Sequence, residues 1–279
     1  MQVFTWPERL RTHLSQLRAA GKQIGFVPTM GALHQGHISL VTEARKQCDV
    51  VVSSIYVNPT QFNQASDFEN YPKDLKQDQA MLEAAGCDVL FFPNDNIMYP
   101  GKAMVTLSFG ELEKTMEGQF RPGHFAGVGL VVSKLLHLVQ PDVAFFGQKD
   151  LQQFAVIRQM VTDLFFPVEL VRVPTVRESD GLAMSSRNRR LSPEQRKEAP
   201  ALYQALQIVK SALEDGKSAG EATAAARQSL ENSSIELEYV EVVEADSLQK
   251  AVKKQPGQEL AVCIAGYLGE IRLIDNIIV

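Results

Sequence analysis

Residues 24–37 read Ile-Gly-Phe-Val-Pro-Thr-Met-Gly-Ala-Leu-His-Gln-Gly-His. Ile24 to Val27 is a short apolar run that stops at Pro28, as a buried strand does, and Ile38 to Lys46 follows with helical spacing. The pattern is therefore a strand that feeds a helix through a glycine-bearing turn. A helix N-terminus has N–H groups free to meet an anion. Gly36 lets the backbone come close to a ligand. His34 and His37 add two imidazoles that hydrogen-bond phosphate and can carry charge near neutral pH. The plain alternative is that the histidines cap the helix or pack beneath the sheet. Zinc would need further ligands, and no nearby Cys, Asp or Glu supplies them.

The same alternation continues to about residue 175. Val50 to Tyr56, Val89 to Phe92, Val143 to Phe146 and Val168 to Val173 read as strands. Asp74 to Ala85, Val128 to Val139 and Leu151 to Leu164 read as helices. Strands alternating with helices predict an α/β domain with a Rossmann-like parallel sheet covered on both faces. Its site belongs at the carboxyl ends of the strands, near a topological switch point.

The pattern changes after Arg190. Ser192-Pro193-Glu194-Gln195 is a helix start, predicting a helix to about Asp215 that ends at Gly216. A second helix, Glu221 to Glu231, precedes three strand-like runs: Glu236 to Val243, Leu260 to Tyr267 and Ile271 to Ile278. This order predicts a smaller α+β C-terminal domain. The expected division is 1–180 and 181–279, within an Arg- and Ser-rich segment.

Composition narrows the functional classes. The 279 residues carry 28 basic and 33 acidic side chains, a net charge of -5, with 45% apolar and 22% charged residues. That balance disfavours a dedicated nucleic-acid binder and a disordered chain. Cys48, Cys87 and Cys263 are odd in number and widely spaced, which argues against a disulfide framework and points to a reducing compartment. Met1 to Ser15 has Glu8, Arg9 and Arg11 and no apolar run, unlike a signal peptide. No stretch approaches the ~18 apolar residues of a membrane span.

Four more segments bear candidate chemistry. Gly181 to Arg190 (Gly-Leu-Ala-Met-Ser-Ser-Arg-Asn-Arg-Arg) places Ser185 and Ser186 beside Arg187, which suits a triphosphate; Gly181 suggests a mobile closing loop, against the alternative of a solvated linker. Phe145 to Asp150 puts Lys149 at the carboxyl edge of the sheet, with Asp150 as a possible helix cap. Asn58-Pro59-Thr60-Gln61-Phe62 offers amides to a polar substrate, or is a plain polar turn. Arg121 to Gly129 is Gly-rich but lacks the Gly-x-Gly-x-x-Gly spacing, and reads as tight helix packing near a site. There is no P-loop, no Gly-x-Ser-x-Gly elbow and no cysteine in a nucleophile context, so covalent catalysis is not indicated.

His34-Gln35-Gly36-His37 resembles the His-x-Gly-His signature of the nucleotidyltransferase superfamily, and Met184-Ser185-Ser186-Arg187 resembles a divergent form of its second signature. More narrowly, five segments are similar in order and spacing to the pantoate–β-alanine ligase (pantothenate synthetase) family: Val27 to His37, Tyr56 to Phe62, Arg121 to Gly127, Phe146 to Gln153 and Gly181 to Asn188. Arg272-Leu273-Ile274-Asp275-Asn276 is similar too.

The resemblance implies adenylation of pantoate by ATP, then attack of β-alanine on the acyl adenylate to give pantothenate and AMP. It also implies Mg²⁺, a cytoplasmic location, a homodimer, and a C-terminal domain that closes over the site. His34, His37, Lys149 and Arg187 would be catalytic. ATP would meet Met30, Gly31, Ala32, Leu33, His34, Gln35, Gly36 and His37, then Gly147, Gln148, Lys149, Asp150 and Val176, and then Met184, Ser185, Ser186 and Arg187. Gln61, Gln153 and Asn58 would meet pantoate or β-alanine. The metal ligands stay unassigned, with Asp78 a candidate. Gln148 stands where the family pattern calls for Glu, and Met184 where Leu is more usual. Among rivals, a nucleotidyltransferase acting on a phosphate acceptor is disfavoured by the amides, and a non-catalytic sensor by the retained His34, His37, Lys149 and Arg187. Neither nucleic acid nor a membrane is an expected partner.

Overall fold

The computed structural model describes residues 1–63, 68–69 and 71–279. The chain divides into two units, Met1–Gly147 with Val156–Pro174, and Gln148–Ala155 with Thr175–Val279.

The first unit is built on a parallel sheet of six strands in the order β1-β4-β3-β2-β5-β6. The strands are β1 (Gln2–Phe4), β2 (Ile24–Thr29), β3 (Val50–Ile55), β4 (Val89–Phe91), β5 (Val143–Gly147) and β6 (Glu169–Val173). All five strands read from the sequence are present. β1 adds a sixth beside β4; with only Gln2, Val3 and Phe4 it is too short to show a period. The helix Pro7–Ala19 after it, with Leu10 and Leu14 buried, was also not read from the sequence. Phe26, Phe91 and Phe145 are fully buried in this unit, each contributing about 1.5–3 kcal/mol through removal of apolar surface from water.

The order reverses at β2, which pairs with β3 on one side and β5 on the other. Pairing with β3 runs the whole length of β2, Ile24 to Thr29. Pairing with β5 covers only Gly25 and Phe26. Val27, Pro28 and Thr29 therefore run on unpaired to β5, and Pro28, which has no N–H to donate, falls where β5 asks for none. This is the switch-point crevice of an open α/β sheet.

The second unit has the antiparallel sheet β7 (Ile235–Glu244), β8 (Leu260–Leu268) and β9 (Ile271–Ile278), in the order β7-β8-β9. Leu202, Leu206 and Val209 of the helix Ala201–Glu214 pack in one apolar cluster with Val262 and Ile264 of β8. The single helix expected from Ser192 to Asp215 is two, Pro193–Glu198 and Ala201–Glu214. Pro200 stands at the break, where it has no N–H to continue the ladder. The Ser192–Gln195 capping box is present as read, and a second box, Ser218–Glu221, starts the helix Ala219–Leu230.

Candidate active site

In the first unit, the turn after β2 is held by a buried carboxylate. Asp78, on the helix Leu75–Ala84, is 3% exposed. Its Oδ2 accepts the Ala32 N–H at 2.9 Å and its Oδ1 accepts the Leu33 N–H at 2.8 Å. Thr29 completes the turn: its Oγ1 donates to the Ser54 carbonyl and accepts the Gly31 N–H. Gly31 has φ +80, and a Cβ there would come 2.9 Å from Asp78 Oδ2. Ala32 takes φ 51, a left-handed conformation that costs a non-glycine residue about 1–2 kcal/mol. The two amide bonds from Asp78 fix that conformation.

The histidines then start the helix Gln35–Gln47. His34 Nδ1 accepts the Gly36 N–H at 3.1 Å, and His37 Nδ1 accepts the His34 N–H at 3.3 Å. The two form a reciprocal capping box with ring centroids 4.1 Å apart. The capping alternative weighed above is thus realised, and it has a chemical consequence. An Nδ1 that accepts a backbone N–H leaves the proton of the neutral ring on Nε2, so each ring has an Nε2–H to donate.

A second cluster fixes Gln61, at the end of the short turn Pro59–Gln61. Asn58 is 1% exposed; its Nδ2 donates to Gln61 Oε1 and to the Gly127 carbonyl, both at 3.2 Å. Its Oδ1 accepts the Thr60 and Tyr99 hydroxyls at 3.0 and 2.8 Å. His124 bonds the Gln61 carbonyl through Nδ1 at 2.8 Å. The helix His124–Val139 passes so close that a Cβ on Gly127 would lie 2.3 Å from the Thr60 carbonyl oxygen. Asn58 is thus engaged at both ends of its amide, and Gln61 also lies against Met30 Sδ. Burial raises the Tyr56 and Tyr99 hydroxyls above the usual tyrosine range, and the Asp95 carboxylate adds to the rise at Tyr56. A separate cavity of about 350 Å³ lies beyond the carboxyl ends of β1, β3 and β4; its lining includes Met30, Gly31 and Tyr56 but none of His34, His37, Asn58 or Gln61.

In the second unit, Gln148–Asp150 forms a short turn ahead of the helix Leu151–Asp163, which carries Gln153. Lys149 lies 3.8 Å from Asp150 Oδ1 with its side chain 16% exposed. Asn276 of β9 donates Nδ2 to the carbonyls of Gln148 and Lys149, at 2.9 and 2.8 Å. The segment Val176–Met184 folds back on itself: Met184 N–H reaches the Val176 carbonyl, and Arg177 bridges to Ala183. Ser185 then caps the turn Ser186–Arg190, its Oγ accepting the Arg187 N–H. A Cβ on Gly181, φ +92, would meet the Tyr203 ring at 2.2 Å. That glycine answers a packing demand, a reason the sequence reading of a mobile closing loop did not contain.

Among the described residues, no cluster of three or more His, Cys, Asp or Glu side chains could hold a metal ion. Both oxygens of Asp78 are taken by amides, so the donor set fits Mg²⁺ carried on substrate phosphates better than Mg²⁺ caged by the protein.

The pantoate-beta-alanine ligase family profile matches residues 2–278. The chain belongs to this family. A pantothenate synthetase of Cytophaga hutchinsonii is 44% identical over 274 residues, 98% of this chain and 97% of that one. Pantothenate synthetase 1 of Bradyrhizobium diazoefficiens is 48% identical over 280 residues, 100% of this chain and 98% of that one. The crystal structure of the Thermus thermophilus pantothenate synthetase superposes with a TM-score of 0.93 at 44% identity, covering 99% of each chain. The Francisella tularensis pantoate-beta-alanine ligase, solved with beta-gamma ATP and beta-alanine, gives 0.82 at 35% identity, covering 99% of this chain and 97% of that one. The family resemblance read from the five segments thus extends over the whole chain.

Proposed function

We propose that the chain condenses pantoate with β-alanine at the expense of ATP, giving pantothenate, AMP and pyrophosphate through a pantoyl adenylate. The observation that carries this reading is the His34–His37 turn. It places two imidazoles and a helix N-terminus beyond the carboxyl end of β2, in a chain of the pantoate-beta-alanine ligase family.

In the first step a pantoate carboxylate oxygen attacks the α-phosphorus of ATP, and the bond to the bridging oxygen of pyrophosphate breaks. Charge builds on the phosphoryl oxygens and the leaving group, so positioned donors lower the barrier. From the first unit we assign His34 and His37 to those oxygens, and Met30 to Gly36 to the nucleotide. From the second we assign Lys149, which as a compact charge suits the α-phosphate, and Ser185, Ser186 and Arg187, which suit the triphosphate. Gly147, Gln148, Asp150, Val176 and Met184 complete the nucleotide contacts. Mg²⁺ carried on the ATP phosphates, rather than caged by protein ligands, would neutralise part of their charge.

In the second step the amine of β-alanine attacks the acyl carbon, the C–O bond to AMP breaks, and the amine loses a proton. Gln61 and Gln153 are assigned to pantoate, with Gln61 also near β-alanine. Asn58 serves by fixing the Gln61 amide. The reading includes a homodimer in the cytoplasm. No described helix is long and apolar enough to cross a membrane.

Pantoate labelled with ¹⁸O in its carboxylate tests the chemistry. Attack by carboxylate on the α-phosphorus and later C–O cleavage leave one ¹⁸O in AMP. Unlabelled AMP, or ADP in its place, would overturn the reading.

A further inference from the structure

The turn that carries Lys149 is held by a side chain 127 residues away. Asn276 is 2% exposed. Its single Nδ2 spans two successive backbone carbonyls, Gln148 at 2.9 Å and Lys149 at 2.8 Å. A planar amide fits this position only one way round. The two carbonyls, which can only accept, select that way, and the Gln148 side chain completes it, its Nε2 donating to Asn276 Oδ1 at 3.3 Å. A buried amide with both ends satisfied is a rigid link, and one left half-paired costs desolvation without return.

Asn276 is itself held. Its carbonyl accepts Arg177 at 2.9 Å and its N–H donates to Asp275 Oδ1 at 2.7 Å. Asp275, 5% exposed, takes both guanidinium nitrogens of Arg177, at 2.6 and 3.0 Å. Such a fork fixes orientation as well as distance. Arg177 also donates to the Gly181 carbonyl at 3.0 Å and lies 4.1 Å over the Tyr203 ring. The Asp275–Arg177 pair thus locks the stretch of β9 whose next residue grips the Lys149 turn.

We propose that Asn276, set by Gln148 and by the Asp275–Arg177 fork, is the positioning residue for Lys149. It touches no reacting atom. It fixes the backbone from which the ammonium reaches the α-phosphate, and it rests on the assignment of Lys149 made above. Misplacement of a charge by about 1 Å can cost on the order of a hundredfold in rate, so the lever is large enough to measure.

A double-mutant cycle tests this in the whole enzyme, by the initial rate of pantoate-dependent pyrophosphate–ATP exchange. Asn276→Leu should lower kcat about ten- to a hundredfold, with KM for pantoate nearly unchanged. In a Lys149→Ala background the same change should have less than about a twofold further effect, because its target is gone. Multiplicative losses in the two backgrounds would overturn the proposal, as would an Asn276→Leu enzyme of unchanged kcat. Asn276→Ala provides the same cycle if Asn276→Leu fails to fold, since it removes the amide that grips the two carbonyls without adding bulk. Wild-type protein with no pantoate-dependent exchange would instead sink the assigned function itself, and the proposal with it.

Discussion

Asp78 Oδ1 accepts the Leu33 N–H at 2.8 Å while Oδ2 accepts the neighbouring Ala32 N–H at 2.9 Å. One buried carboxylate therefore sets the turn that delivers the histidines. Asp78→Asn keeps the shape but turns an NH₂ toward one of the two N–H groups. Loss of one charged acceptor should lower stability by about 1–3 kcal/mol and lower adenylation with it. Chemical denaturation together with an exchange assay checks this; unchanged values for both would mean that the turn holds itself.

The two jobs of the histidines can be separated. Asn is a good N-cap, and its Oδ1 can stand in for the Nδ1 acceptor. His34→Asn, at the N-cap, should therefore keep stability within about 1 kcal/mol, and His37→Asn, at the third helical position, should cost no more than one lost hydrogen bond, about 0.5–1.5 kcal/mol. They should still lose about 10²–10³ in adenylation rate, because no Nε2–H remains for the phosphates. A variant that keeps its rate would confine the histidines to capping.

Gly127→Ala should act on Gln61. The added Cβ meets the Thr60 carbonyl at 2.3 Å and the Gln61 nitrogen at 2.9 Å, both backbone atoms that cannot swing away. Overpacking of this kind costs about 1–3 kcal/mol. We expect a lower Tm and a raised KM for pantoate, since Asn58 also bonds the Gly127 carbonyl. An unchanged KM would separate Gln61 from pantoate binding.

The thiols give a pH prediction. Burial pushes Cys48 up to about 11, helped by the Asp142 and Asp49 carboxylates, and pushes Cys87 up to about 12. Native protein at pH 8 should therefore react slowly with a thiol reagent, and promptly in denaturant. The unfolded thiols release protons first as pH rises past about 8.5–9. The folded state then holds more protons than the unfolded one, so stability falls with rising pH, by up to about 1.4 kcal/mol per pH unit per thiol. Denaturation midpoints between pH 8 and 10 check the sign; stability that rises over that range would contradict it.

The βα alternation and the switch-point location were legible because β2, β3 and β5 are short segments rich in Val, Ile and Phe, followed closely by Pro, Gly or Asn. The histidine pair was legible because it sits at a strand-to-helix turn. Its partner Asp78 was visible only as one carboxylate among many, since the contact spans 45 residues and follows from packing of two helices. The role of Asn276 depends on the register of β9 against β8, where it faces Cys263, and no local pattern encodes that register. The break at Pro200 lies inside the span that the strong start at Ser192 predicts as one helix. The packing demand on Gly181 was not legible, because the Tyr203 ring that it meets lies on another element.

Exchange of labelled pyrophosphate into ATP, with Mg²⁺ and without β-alanine, tests the central claim most directly. Reversible pantoyl-adenylate formation predicts exchange that requires pantoate and is lost in His37→Asn. Absence of exchange, with no AMP formed after β-alanine is added, would contradict it.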